Sequence, residues 1–122
     1  MSLPSSILIT GASSGIGEAL AYHYAESGVS LFLSGRNKNR LISVAKVCVA
    51  MGAKVQVSTV DVTDRDLMFR WIAKVDREAA LDLVVANAGI SGGTADGIES
   101  DSQTRSIFAV NVDGVLNTVL PA

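Results

Sequence analysis

The chain has 122 residues, of which 48% are hydrophobic and 18% charged, a balance typical of one small globular domain with a single core. Its formal net charge of −2 gives no reason to expect nucleic acid or an anionic membrane as a partner. The single cysteine, Cys48, excludes an internal disulfide, and one cysteine with one histidine argues against a metal site. Because neither a signal peptide nor an apolar run of membrane-spanning length is recognisable, we expect a cytoplasmic protein.

Four apolar runs recur at nearly even spacing, at residues 6–10, 29–35, 54–60 and 81–86. They are rich in Val, Ile and Leu and lack strict alternation, a composition typical of strands that are buried on both faces of a parallel sheet. The pattern therefore predicts four strands in these places.

Stretches of helical periodicity fill the three intervals between these runs, and a fourth stretch at about 102–120 follows the last run. Thr63 is the predicted N-cap of the third helix. The predicted inward-facing residues are Ile16, Leu20, His23 and Tyr24 in the first helix, Leu41, Val44, Ala45, Cys48 and Met51 in the second, and Met68, Trp71, Ile72, Val75 and Ala79 in the third.

This alternation of strands and helices indicates the fold class. Strands separated by whole helices are parallel and joined by right-handed crossovers. We therefore predict an α/β protein of Rossmann type, with an open, doubly wound parallel sheet, helices on both faces and strand order 3-2-1-4.

The segment ITGASSGIGEAL, residues 9–20, places three glycines between the first strand and the first helix. The first N–H groups of a helix are unpaired and carry the positive end of its dipole, so such a turn favours an anion. We expect Gly11 to make the turn, Gly15 to let a phosphate approach and Gly17 to let the helix pack closely, while Ser13 and Ser14 add hydroxyl groups. The alternative is a helix start whose glycines serve only the turn.

The spacing of these glycines differs from the general dinucleotide fingerprint and matches in full the TGxxxGIG motif of the classical short-chain dehydrogenase/reductase family. The chain resembles this family further along, in the triplet Asn87-Ala88-Gly89, in DVTD at 61–64 and in FAVNVDG at 108–114. The resemblance implies that Asp61 contacts the adenine ring and that Asn111 is an active-site residue. The cofactor contacts it implies are Gly11, Ser13, Ser14, Gly15, Ile16, Gly17, Asp61, Val62, Asn87, Ala88 and Gly89.

The end of the second strand bears on the choice of cofactor. An acidic residue there would accept hydrogen bonds from the ribose 2′-hydroxyl of NAD, but this chain reads SGRN at 34–37 and has no acidic residue between positions 27 and 60. Arg36 presents a planar fork that suits a 2′-phosphate, so we predict NADP(H) in preference to NAD(H). We assign Lys38 and Arg40 to a solvated helix start, which is also the alternative for Arg36.

The family's chemistry needs a Tyr that acts as general acid and base, a Lys four residues later and a preceding Ser. Four residues beyond Tyr22 and Tyr24 lie Glu26 and Gly28. The 122 residues by themselves are therefore expected to be inactive. We interpret residues 1–122 as the NAD(P)-binding Rossmann domain, the N-terminal part of a longer single-domain oxidoreductase that moves hydride between a nicotinamide cofactor and a small carbonyl or alcohol substrate.

Two other functions are considered. A non-catalytic nucleotide-binding or regulatory module stays open as the alternative, because nothing in these residues excludes it. A methyltransferase with a similar sheet is disfavoured, since it would want an acid at the end of the second strand.

The predicted fourth helix is apolar over much more than one stripe, a pattern typical of a helix buried on more than one side. One side would face the sheet. The resemblance implies a dimer contact for the other side, so we predict a homo-oligomer with residues 102–120 in its interface and Asn111 turned toward the cofactor site.

Overall fold

The computed structural model describes residues 4–13, 15–88 and 118–119 of the chain. Strands and helices alternate strictly along the first two of these ranges, as the periodicity predicts. The elements are β1 Ser6–Ile9, α1 Gly15–Tyr24, β2 Ser30–Ser34, α2 Lys38–Ala50, β3 Lys54–Ser58, α3 Arg65–Glu78 and β4 Leu83–Val85.

The four strands form one parallel sheet in the order β3-β2-β1-β4. This order confirms the predicted Rossmann topology. β1 lies between β2 and β4, and its Ile7 is in register with Leu31 on one side and Leu83 on the other. The strand order therefore reverses at β1, with β2 and β3 on one side and β4 on the other, and such a switch point is the place where open α/β sheets bind ligands.

Two apolar layers cover the two faces of the sheet, and the alternation of side chains along β1 divides them. On one face Ile7 and Ile9 pack with the buried residues of α1 and α2. On the other face Leu8 packs with α3. The helix residues that fill these layers are Ala21, Leu41, Val44 and Cys48 on the first face and Met68, Ile72 and Val75 on the second.

The prediction that every strand is buried on both faces is wrong for β3. Lys54, Gln56 and Val57 are exposed, and within the described residues β3 pairs with β2 alone. It is thus an edge strand, and a charged residue such as Lys54 is typical of edges that discourage pairing with another chain.

The predicted inner faces of α1 and α2 need correction. Ile16 is 70% exposed and His23 is exposed as well, whereas the residues of α1 that are buried are Gly17 and Ala21. Small residues face the core because α1 approaches the sheet closely at this end. Met51 is 46% exposed, since it caps α2 and lies beyond its last packed turn.

The N-cap of α3 is Asp64 rather than the predicted Thr63. The side chain of Asp64 accepts a hydrogen bond from the N–H of Leu67 at 3.1 Å. Thr63 instead donates its hydroxyl to Asp61. Both residue types are good caps, and the preceding turn decides between them.

Most of the predicted fourth helix, 102–120, lies outside the described residues. Its described members, Thr118 and Val119, are helical; Thr118 is buried and Val119 is 43% exposed. No helix in the described part of the chain is long and apolar enough to cross a membrane.

At the amino edge of the sheet, one carboxylate joins the neighbouring strands β1 and β4. Oδ2 of Asp82, the residue before β4, accepts hydrogen bonds from the N–H of Ser5, the hydroxyl of Ser5 and the N–H of Ser6, at 2.9, 2.9 and 3.1 Å. The Ser5 N–H, followed by the other two donors, lowers the pKa of Asp82, and desolvation opposes this shift. The ionised side chain thereby ties the start of β1 to the start of β4.

We expect Asp82→Asn to lower the free energy of unfolding at neutral pH. Because the pKa of Asp82 is lower in the folded state than in the unfolded one, its contribution is present above the unfolded value, about pH 4, and is lost as the pH falls through the folded value. The difference between wild type and variant should therefore shrink in acid, as measured by urea denaturation. Glu26→Gln, an exposed acidic residue outside this contact, is the control, and a difference that stays constant in acid would contradict the prediction.

Candidate functional site

Thr10, the residue after β1, fastens the carboxyl ends of β1 and β4 together. It is 1% exposed. Its hydroxyl oxygen accepts hydrogen bonds from the N–H groups of Asn87 and Ala88 at 3.0 and 3.1 Å, and its own N–H and hydroxyl donate to the carbonyl of Val85 at 3.0 and 3.4 Å. The glycine turn and the segment after β4 therefore form one rigid corner.

Gly11 and Gly17 are required by close packing in this corner. Gly11 has a φ of +67°, and a Cβ built there would lie 2.8 Å from the Cα of Ala88. A Cβ on Gly17 would overlap the carbonyl oxygen of Gly11 and lie 2.7 Å from Nδ2 of Asn87. That same Nδ2 donates to the Gly11 carbonyl at 3.2 Å, so the start of α1 packs directly on the turn.

Gly15 has a different role from these two glycines. It begins α1 with a φ of +61°, and no atom of the described residues lies within 4 Å of the position of a Cβ there. Among the described residues, nothing fills the place of a side chain at Gly15, and the neighbouring Ile16 is exposed. The first N–H groups of a helix have no partner within the helix and carry the positive end of its dipole.

The turn also rests on the end of β2. The N–H of Ala12 donates to the carbonyl of Ser34 at 2.8 Å. A Cβ on Gly35 would lie 3.0 Å from Cβ and Oγ of Ser13. Contact with the end of β2 therefore sets the position of Ser13. Arg36 is the next residue after Gly35, which makes this contact.

Arg36 and Asp61 bring opposite charges to the same edge of the sheet. Ser34 of β2 is in register with Ser58 of β3, so the residues that follow both strands emerge side by side. Both side chains are exposed. The pKa of Asp61 is lowered, first by the hydroxyl and N–H of Thr63 and further by the positive charge of Arg36, while desolvation opposes the shift.

A cleft of about 310 Å³ lies beside the turn, between α1 and the beginning of α2. Its lining residues are all polar and come from the turn and both helices: Ser13, Glu18, Asn39, Arg40 and Ser43. Arg40, assigned from sequence to a solvated helix start, therefore borders the candidate site as well as solvent.

The predicted site residues that the structure describes all lie at or next to the carboxyl edge of the sheet. Ser14, Gly89 and Asn111 lie outside the described residues. Sequence reasoning missed the roles of Thr10, the Ser34 carbonyl and Thr63. A buried hydroxyl before a glycine turn could have signalled Thr10, but the backbone contact of Ser34 leaves no mark in the sequence. The described predicted residues are Gly11, Ser13, Gly15, Ile16, Gly17, Arg36, Asp61, Val62, Asn87 and Ala88.

Other candidate groups do not carry chemistry at this edge. The hydroxyl of Tyr22 donates to Oε1 of Glu18 at 2.8 Å, and this bond raises the pKa of Tyr22, the direction opposite to that of an activated tyrosine. Burial raises the pKa of the Cys48 thiol. Among the described residues, no three His, Cys, Asp or Glu side chains are grouped to hold a metal ion.

A helix start open to an anion, an adjacent arginine and an ionised acceptor are arranged along one edge of a Rossmann sheet. The family model of the short chain dehydrogenases matches residues 5–121. The chain belongs to the short chain dehydrogenase family. This confirms the resemblance seen in the glycine motif, and the family uses nicotinamide cofactors.

Individual relatives agree with this membership. An uncharacterized oxidoreductase of Myxococcus xanthus is 41% identical over 118 residues, which cover 93% of this chain and 47% of that protein. The crystal structure of a short-chain type dehydrogenase/reductase from Mycobacterium marinum has a TM-score of 0.86 at 33% identity, covering 97% of this chain and 48% of that one. The chain thus spans about half the length of these relatives.

The similar solved structures include complexes with either nicotinamide cofactor. A metagenomic short-chain oxidoreductase in complex with NADP has a TM-score of 0.81 at 26% identity, over 96% of this chain and 55% of that one. An NAD⁺-bound xylitol dehydrogenase shares the fold, with a TM-score of 0.87 at 24% identity over 96% of this chain and 46% of that one. Membership of the family therefore leaves the choice between the two cofactors to the chain's own residues.

We expect Thr10→Val to destabilise the corner between β1 and β4. The substitution keeps the shape but leaves the partly buried N–H of Ala88 without its acceptor, and an unsatisfied donor costs up to about 1–3 kcal/mol when it is fully buried. Urea denaturation measures the loss. Thr10→Ser retains the hydroxyl and is the matched control, so equal destabilisation by both variants would contradict the role given to this oxygen.

Proposed function

We propose that this chain is the NADP(H)-binding part of a short-chain oxidoreductase that transfers hydride between the cofactor and a small carbonyl or alcohol substrate. Residues 1–122 would form its NAD(P)-binding domain, continuous with the rest of one catalytic domain. The observation that carries the proposal is the corner built by Thr10, Gly11, Gly17 and Asn87, which holds the start of α1 open at Gly15.

The described residues fit a dinucleotide. No atom of the described residues lies within 4 Å of the Cβ position at Gly15, so a phosphate could approach the N–H groups of the first turn of α1. Gly11, Ser13, Ile16 and Gly17 would bind on this side. Val62, Asn87 and Ala88 would border the adenine and ribose, and Ser14 and Gly89 are assigned here from the family motif alone.

The preference for NADP(H) over NAD(H) rests on Arg36. This side chain is exposed directly after the contact between Gly35 and Ser13, where a ribose 2′-phosphate would lie if the diphosphate occupied the start of α1. Its guanidinium would donate paired, charge-assisted hydrogen bonds to that phosphate. In the adjacent carboxylate of Asp61, Thr63 donates both of its hydrogen bonds to Oδ1. The other oxygen, Oδ2, would then be able to accept from another donor.

When bound, the nicotinamide supplies or accepts the hydride. The residues of this chain would bind the dinucleotide and orient it. The proton donor is a separate requirement, and Tyr22 and Tyr24 do not meet it, because both lie on α1 and Tyr22 is bonded to Glu18. Asn111 is proposed to take part in the active site, and residues 102–120 to form the contact between subunits of a homo-oligomer.

The function is tested with the protein that contains this chain. We expect it to bind NADPH and to oxidise it with a panel of small aldehydes and ketones, whereas residues 1–122 alone should show no turnover, because general acid catalysis typically supplies about 10²–10⁴-fold. Absorbance at the nicotinamide band measures both. Binding without turnover by the complete protein would favour the non-catalytic nucleotide-binding alternative, and absence of binding would refute both functions.

We expect Arg36→Asp to reverse the cofactor preference. A charge-assisted contact with a phosphate contributes roughly 1.5–3 kcal/mol, or about one to two decades of affinity, and a carboxylate at this position would accept from a ribose 2′-hydroxyl instead. Dissociation constants for NADPH and NADH measure the change. Lys46→Asp makes the same change of charge at an exposed position on α2 and should leave the ratio unaltered; an unaltered ratio in Arg36→Asp as well would contradict the assignment.

A further inference from the structure

The net charge of the chain conceals a local concentration of positive charge on α3. This helix carries Arg65, Arg70, Lys74 and Arg77, which are four of the 10 lysines and arginines in the sequence. Positions 70, 74 and 77 follow the i, i+4, i+7 spacing, so these three cations lie on one side of the helix in successive turns. We call Arg70, Lys74 and Arg77 the basic stripe.

The basic stripe faces away from the sheet. α3 packs against the sheet through Met68, Ile72 and Val75, which are at most 1% exposed. Because an α-helix has 3.6 residues per turn, the three cations project from the opposite half of the helix, and all three are exposed.

No ion pair neutralises the basic stripe within the described part of the chain. Of the acidic residues on α3, Asp76 accepts a backbone N–H from the loop that follows the helix, and Glu78 accepts the side-chain amide of Gln56. Asp66 lies in the first turn, beyond the stripe. Like charges one turn apart destabilise a helix, so the stripe carries an electrostatic cost that contact with an anionic surface would relieve.

Two exposed apolar side chains border the basic stripe, one on each side. Phe69 is 60% exposed and Leu67 is 45% exposed. At the surface of an anionic bilayer, lipid headgroups would meet the cations, while the acyl boundary beneath them would take the apolar side chains. A polyanion that lacks an apolar layer would meet the cations alone.

We propose that the basic stripe, together with Leu67 and Phe69, is a docking surface for the anionic surface of a lipid bilayer, on which the protein lies peripherally. The inference goes beyond the proposed function and does not rest on it. Each cation near an anionic bilayer increases partitioning by about fivefold, so the three together should increase it about a hundredfold. Salt should weaken the association, because it screens exposed charges.

Co-sedimentation with lipid vesicles tests this docking surface in the protein that contains this chain. Vesicles of phosphatidylcholine mixed with phosphatidylserine are compared with vesicles of phosphatidylcholine alone. We expect wild type to bind the mixed vesicles about a hundredfold more strongly, and the double variant Lys74→Gln/Arg77→Gln to lose about 25-fold of that binding. The matched control is Lys46→Gln/Lys54→Gln, which removes the same charge at exposed positions on α2 and β3 and should change binding by less than about twofold.

The apolar border is tested in the same assay. Phe69→Gln should weaken binding to the mixed vesicles by about three- to tenfold, the effect of burying part of one aromatic side chain. Val49→Gln replaces an apolar residue of α2 that is 55% exposed, and it should leave binding unchanged. Arg70→Gln should reduce binding about fivefold, and it keeps the test valid if the double variant does not fold, which circular dichroism checks.

Three results would overturn the inference. The first is equal binding of wild type to the two kinds of vesicle. The second is an equal loss in the two double variants, since the attraction would then depend on total charge rather than on the basic stripe. The third is binding of single-stranded RNA through the stripe without binding to the mixed vesicles, which would assign the surface to a nucleic acid instead.

Discussion

The hydroxyl of Thr10 lies where the parallel strands β1 and β4 end. It accepts hydrogen bonds from the N–H groups of Asn87 and Ala88, which follow β4. The Gly11 carbonyl then receives the side-chain amide of Asn87, and Gly17 lies against that carbonyl. These short polar contacts replace the sheet ladder at its end. Consequently the start of α1 has one fixed position relative to β4, and the site depends on that position.

The charges at the carboxyl edge follow from strand order. β2 and β3 are neighbours in register, so Arg36 and Asp61, separated by 24 intervening residues in the chain, come within electrostatic reach. The carboxylate of Asp61 is hydrogen-bonded to the N–H and the hydroxyl of Thr63. A cation and an anion can therefore stay side by side, each able to meet a different part of one ligand.

The periodic parts of the sequence predicted the fold well, for an identifiable reason. Val-, Ile- and Leu-rich runs alternating with amphipathic stretches allow few arrangements other than a parallel sheet between helix layers. Predictions failed where burial depends on neighbours rather than on pattern. Ile16 is apolar yet exposed, and Val57 is exposed because β3 is an edge strand. Asp64 caps α3 in place of Thr63 because the Thr63 side chain is hydrogen-bonded to Asp61. The composition of the segment does not reveal this hydrogen bond.

The sequence by itself determined the family, the strand order and the identity of the glycine turn, because glycine spacing and hydrophobic period are properties of the linear chain. The tertiary structure alone decided what each glycine is for. Gly11 and Gly17 are needed because protein atoms crowd them, and Gly15 because its backbone turns toward open space. It also decided that the N–H and the hydroxyl of Thr63 both donate to Oδ1 of Asp61. Such roles depend on distances between residues that are remote in the chain, and packing creates those distances only once the sheet is assembled.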